Sequence, residues 1–191
     1  MASANDTFTR GDENPLANGT WTTASTFQAV RLVTNKVQGN SADSVSYWSA
    51  ETWTADLYSE VEYRGAAPDS GPALRIQTGA KTCYMYNGAS LGGAVCKFIA
   101  GAFSTVATRT ATWANTDLCR LEAVGSTLRA YRNGVQIGAD ITDTNITAAG
   151  GGPGIFCYGA HTCDNFLAAD IGAAPATPFP PFRHRIQTIG G

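Results

Sequence analysis

The chain has 191 residues with 13 Lys+Arg against 15 Asp+Glu, and only 15% of its residues are charged. A balance this close to neutral excludes the multi-phosphate electrostatics of nucleic-acid binding, and no Lys/Arg run suits an anionic membrane surface. A hydrophobic share of 43% supplies one sizeable core, while 21 Gly and a 10% aromatic share favour strands and turns over helices.

The N-terminal stretch MASANDTFTRGDENP has no basic start followed by an apolar run, and nothing in it is long enough to span a bilayer. This predicts a product without a cleaved export signal, made inside a cell and released by lysis; an extracellular protein is the alternative. Short runs of strand formers follow between turn signals: DTFTR, FQAVRLVTNKV, SVSYWSA, LYSEVEYRG, PALRIQT, KTCYMYNG, AVCKFIAG, FSTVATRTAT, LCRLEAVG, LRAYRNGVQIG, GIFCYG and NFLAADIG. So many evenly spaced runs exceed a small barrel and predict an all-β, two-sheet antiparallel sandwich of jelly-roll type. No window has helical spacing and no repeat is visible.

Two turns can be placed by mechanism. Asn133-Gly134 predicts a tight hairpin, because both residues tolerate positive φ. The stretch Gly65 to Gly71 predicts a second reversal, which sets Glu62 opposite Arg75 and Glu60 opposite Gln77. After Gly172 the composition shifts to AAPATPFPPFRHRIQTIGG, whose prolines at Pro175, Pro178, Pro180 and Pro181 cannot donate to a ladder. The expected organisation is a sandwich domain over residues 1–172 and an extended Pro-rich tail over 173–191. The tail holds no acidic residue, and Phe179, Phe182, Arg183, Arg185 and Ile186 are candidates for docking on a partner subunit; folding back on the sandwich is the alternative.

Five cysteines, Cys83, Cys96, Cys119, Cys157 and Cys163, form no CxxC pair and have no finger-spaced histidine, so a structural zinc site is not expected. Free buried thiols are the primary expectation. Pairs Cys83–Cys96 and Cys157–Cys163 are the alternative, since each flanks a short turn.

The opening DTFTR followed by TW, the central SYW and EVEYRG, then LRAYRNGVQIG and the closing CDNFLAADIG together resemble the concanavalin A-like (laminin-G-like) lectin/glucanase superfamily over about residues 5–172. The resemblance implies a sandwich with one concave sheet that often binds glycans, in a superfamily of lectins, laminarinase-type hydrolases and modules of phage structural proteins. It also implies first and last strands that pair, Thr7 to Arg10 beside Phe166 to Asp170. A structural calcium at Asp164 is implied likewise, helped by carbonyls of the first strand and of a loop near Gly39. Asp164-Asn165 also reads as a turn-forming pair that bonds its own backbone.

Glu60 and Glu62 project from one face of a strand. Related hydrolases carry Glu-x-Asp-x-x-Glu there; here Glu62 stands in the Asp position and Gly65 in that of the second Glu. The acid/base partner is therefore missing, and the bland assignment is a solvated Glu60 with Glu62 paired to Arg75. His161 and His184 belong to no triad pattern. Glycan binding needs flat aromatic faces and planar polar groups, and Glu62, Arg75, Tyr84, Tyr86 and Tyr131 are the candidates for one groove; Trp21, Trp48, Trp53 and Trp113 suit packing better. The reading is a non-enzymatic module of a larger assembly, an exterior phage virion protein (capsid decoration, fibre or tail component) with carbohydrate adhesion and no required cofactor. A free-standing lectin or carbohydrate-binding module is the alternative, and a divergent glycan hydrolase or lyase the third.

Overall fold

Two-residue alternation of apolar and polar side chains decides the architecture, because a strand can bury only one parity against a given layer. The computed structural model describes residues 1–24, 26–65, 69–88, 93–148 and 150–172. In chain order its strands are β1 (Ser3–Asp6), β2 (Trp21–Thr23), β3 (Val30–Val33), β4 (Lys36–Gly39), β5 (Ser44–Trp48), β6 (Leu57–Arg64), β7 (Ser70–Leu74), β8 (Cys83–Asn87), β9 (Ala94–Ile99), β10 (Ala102–Thr108), β11 (Leu118–Val124), β12 (Thr127–Arg132), β13 (Val135–Gln136), β14 (Ile141–Thr142), β15 (Gly154–Cys157) and β16 (Thr162–Asp170). They form two antiparallel sheets. One runs β13-β12-β11-β6-β16-β4-β3, with β1 on β16 and β14 on β12; the other runs β10-β9-β8-β7-β15-β5-β2. The described residues include no helix, so the all-β sandwich expected from the sequence is the one observed.

The main core lies between the sheets. Leu57, Val61 and Tyr63 of β6 and Leu121 of β11 face Leu74, Tyr84, Tyr86 and Val95 of the other layer. Trp21, Trp53 and Trp113 are buried there as well. Both sheets contribute fully buried cysteines: Cys157 and Cys163 lie 3.7 Å apart, sulfur to sulfur, and all five thiols are free. The expected alternative pair Cys83–Cys96 is not formed, because the β8–β9 register sets Cys83 against Phe98 and Cys96 against Met85. Burial pushes the Cys83 thiol up to about 12 and Cys96 to about 11, the behaviour of packing groups.

Several local expectations are met and several are displaced. Asn133 and Gly134 have φ of 49° and 78° and connect β12 to β13 with Arg132 opposite Val135. First and last strands do pair, but the partner of Phe166 to Ala169 is Ser3–Asp6 rather than Thr7 to Arg10. The chain leaves the ladder at Asp6, whose carboxylate accepts from the Phe8 amide, Arg10 and the Trp21 indole, and Phe8 turns into the core. The run FQAVRLVTNKV is two strands, because Thr34 and Asn35 both take positive φ and fold β4 back on β3.

The expected pairing of Glu62 with Arg75 and of Glu60 with Gln77 is wrong, because β6 and β7 belong to different sheets. Glu62 is opposite Leu118 and Asp164, and Glu60 opposite Arg120 and Leu167. Arg75 leaves β7 with φ of 49° and is fully buried. Its guanidinium donates to the carbonyls of Ala55, Ile146 and Gly125 at 2.7–2.8 Å, tying three loops together, while Asp56 stands 3.7 Å away. The proposed tail, residues 173–191, lies outside the described residues, and with it Phe179, Phe182, Arg183, Arg185 and Ile186.

A second buried polar knot sits at the end of β14. The Asp143 carboxylate accepts from Tyr84 Oη, Lys97 Nζ and the Asn145 amide. Burial alone would raise this carboxyl, but the bonds from Lys97, Tyr84 and Asn145 outweigh it and hold Asp143 well below the usual carboxylate range.

Two outcomes are expected. Arg75→Ala removes a fully buried guanidinium and its three hydrogen bonds, one to the buried Ile146 carbonyl and two to the less buried Ala55 and Gly125 carbonyls, and should cost about 2–3 kcal/mol in urea unfolding; a loss under about 1 kcal/mol would contradict this role. A depressed folded value means that the Asp143 contribution is complete above its unfolded value near pH ~4 and is lost as pH falls from there through the folded value. Wild type should therefore lose stability steeply below about pH 4. Asp143→Asn should be less stable at pH 7 and have a flatter acid limb; superimposable pH profiles would contradict the assignment.

Candidate functional site

The outer face of the nine-stranded sheet is polar by alternation along β6, β11 and β12. Tyr58, Glu60, Glu62 and Arg64 of β6 point there, beside Arg120 and Glu122 of β11 and Tyr131 of β12. These groups are consumed by one another. Glu60 pairs with Arg120 at 2.9 Å and Glu62 with Arg64 at 2.9 Å; Glu62 also accepts from the Asn165 amide. Tyr131 Oη donates to Glu122 at 3.0 Å, and the Arg120 guanidinium lies 4.3 Å from the Tyr58 ring centroid. Glu60 is buried rather than solvated. The two carboxylates are thus clamped by different arginines.

The expected groove of Glu62, Arg75, Tyr84, Tyr86 and Tyr131 is not assembled. Arg75, Tyr84 and Tyr86 are fully buried in the interior. Tyr84 Oη is held by Asp143, and Tyr86 Oη donates to the Arg109 carbonyl at 2.9 Å. Glu62 and Tyr131 remain on the ion-paired outer face of the other sheet. The β8 tyrosines have the core parity, so Cys83 and Met85 occupy the opposite face that the groove would have needed.

Asp164 does not fit a calcium ion. Its Oδ2 accepts from Arg64 Nε and Nη2 at 3.1 and 2.8 Å, and its Oδ1 accepts from the Asn165 amide. A cation there would meet the guanidinium charge. Among the described residues no group of three or more His, Cys, Asp or Glu side chains is placed to hold a metal ion. Asn165 has φ of 47° and sits where the β16–β6 register shifts, at a bulge inside β16 rather than in a turn at its entrance.

The seven-stranded sheet offers a different surface. Its face away from the main core carries a second apolar cluster: Val45, Ala73, Cys83, Met85, Ala94, Cys96, Phe98 and Phe156, joined by Ala24, Phe27 and Ile76. At one end it opens into a cavity of about 460 Å3, lined by Phe98, Phe103, Phe156 and Tyr158 with Asp43, Asp69, Asn87 and Gly101. Ala100 and Gly101 take φ of 48° and 89°, a tight turn that sets Phe103 of β10 opposite Phe98 of β9, with ring centroids 5.4 Å apart.

The floor rings are buried, whereas Phe103 and Tyr158 are 49% and 46% exposed. Lys81 bridges the rim: its ammonium bonds Asp43 at 2.8 Å and lies 4.9 Å from the Phe98 centroid. The Asn87 amide donates to the Asp69 carboxylate, and the Tyr158 amide to the Asp69 carbonyl at 2.8 Å. A larger concavity of about 680 Å3 at the β12–β13 hairpin has no aromatic residue among the described residues of its wall. Sequence reading missed the aromatic cavity, although the Ala100-Gly101 turn between Phe98 and Phe103 was a usable signal.

Among similar solved structures is the carbohydrate-binding module CBM66 from Bacillus subtilis, with 22% identity, 76% of this chain and 91% of that chain covered, and a TM-score of 0.59. A prokaryotic β-1,3-1,4-glucanase (lichenase) derived from a mouse hindgut metagenome gives 11%, 90%, 100% and 0.56. The exoplasmic/lumenal domain of VIP36 in a Ca2+/Man-bound form gives 11%, 82%, 85% and 0.53. No protein-family model and no curated protein matches the chain. Identities this low establish architecture and leave function to the site. The chain has the concanavalin A-like jelly-roll fold.

Proposed function

We propose that this chain is a non-catalytic glycan-binding module whose ligand seats in the aromatic cavity on the far face of the seven-stranded sheet. The observation that carries the reading is the convergence of four aromatic rings with Asp43, Asp69 and Asn87 in one concavity. Sugar rings present C–H faces to aromatic planes and hydroxyls to carboxylates and amides, so this mixture suits them. Against turnover stands the clamping of Glu60 and Glu62 by Arg120 and Arg64; in the cavity itself Asp43 is paired with Lys81 and Asp69 accepts from the Asn87 amide.

Calorimetric titration with soluble gluco-, manno- and galacto-oligosaccharides tests it. At least one should bind without being cleaved. Phe103→Ala and Tyr158→Ala should each weaken binding about tenfold or more. Both side chains are about half exposed, so thermal stability should fall by less than about 1 kcal/mol. Absence of binding across the panel, or undiminished binding by both variants, would overturn the reading.

The setting proposed for the module is a larger assembly, with the exterior of a phage virion as its specific form. Its support is the sequence of residues 173–191, which combines Phe179, Phe182 and Ile186 with Arg183 and Arg185 and has no acidic residue. Deletion of residues 173–191 should leave the unfolding transition in place and reduce the solution mass to that of one copy. An oligomer that persists after the deletion would contradict a docking role between copies of this chain.

A further inference from the structure

Resting on the glycan-binding reading, the charge pattern of the cavity narrows its ligand. Of the described residues in its wall, two are carboxylates, Asp43 and Asp69, and none is Lys, Arg or His. The neighbouring cation, Lys81, is already paired with Asp43 at 2.8 Å and lies over the Phe27 and Phe98 rings. The carboxylate of Asp69 is oriented by the Asn87 amide. On the nine-stranded sheet, by contrast, Arg64 and Arg120 are partly buried and each paired with carboxylates.

We infer that the cavity selects uncharged glycans and rejects those carrying carboxylate or sulfate groups. A carboxylate accepts two hydroxyl protons at once, so Asp43 and Asp69 suit a neighbouring pair of sugar hydroxyls, while the rings take the C–H face. A uronate or sulfate brought between the same walls meets the Asp69 carboxylate in a partly desolvated site, and the described wall holds no arginine to receive it. Selection of this kind is built from repulsion against the wrong ligand as much as from attraction to the right one.

The test uses matched pairs that differ at the C6 position: cellotetraose against its glucuronate tetramer, mannotetraose against tetramannuronate, and galactotetraose against tetragalacturonate. Each is titrated into the full chain at low and at high salt. The expected result is that the neutral member of at least one pair binds and its anionic counterpart binds about tenfold or more weakly at low salt. That gap should narrow at high salt through screening. Asp69→Asn should narrow it too, by weakening the neutral ligand and admitting the uronate. Asp164→Asn, on the other sheet, serves as the control and should leave the gap unchanged. An anionic tetramer that binds as tightly as its neutral partner overturns the selectivity while leaving glycan binding intact. If no tetramer of either kind binds, the glycan-binding reading itself fails and the selectivity falls with it.

Discussion

Burial on both faces of the seven-stranded sheet is the constraint from which the rest of the molecule follows. Alternate residues of β8 serve two cores: Tyr84 and Tyr86 pack between the sheets, whereas Cys83 and Met85 pack on the opposite side. A sheet with two apolar faces needs cover on each. The nine-stranded sheet covers one. On the other, Phe27 and Lys81 lie over Phe98, and at about 1.5–3 kcal/mol for each large apolar side chain removed from water this second cluster is a substantial part of the stability. Where the cover ends, the rings of Phe103 and Tyr158 remain half in solvent, and the cavity is the space between cover and edge.

The opposite sheet solves the complementary problem. Its outer face is polar, and two guanidiniums, Arg64 and Arg120, pair with four carboxylates across β16, β6 and β11. Individual pairs of this exposure contribute modestly. Their consequence is chemical: a Glu60 or Glu62 held by arginine is not poised on a substrate. The architecture, shared with a solved lichenase, carries on this face a Glu60 and a Glu62 that are each held by a different arginine.

The fold was legible in the sequence because strand alternation and turn residues are local signals. Asn133-Gly134 located a hairpin, and the runs around LYSEVEYRG and LCRLEAVG located the central strands. The site was not legible, because parity relative to two different cores is set by tertiary packing. Tyr84, Tyr86 and Tyr131 looked equivalent as alternating aromatic positions, yet the first two face inward and the third faces outward on the other sheet. Arg75 read as a cross-strand partner for Glu62 because β6 and β7 are separated by a turn-rich stretch. The connection instead crosses between sheets, which only the packing of Leu57, Val61 and Tyr63 against Leu74 reveals. Asp164 is bound by Arg64 across the β6–β16 ladder, a register no local pattern specifies.

Where a sugar lands on the two sheets is decisive. Amide chemical-shift mapping of the isotopically labelled chain during titration with a neutral oligosaccharide that binds reports this directly. Saturable shifts confined to the surroundings of Asp43, Asn87, Gly101, Phe103 and Tyr158 are predicted. Shifts centred instead on Glu62, Arg120 and Tyr131, on the outer face of the nine-stranded sheet, would contradict it.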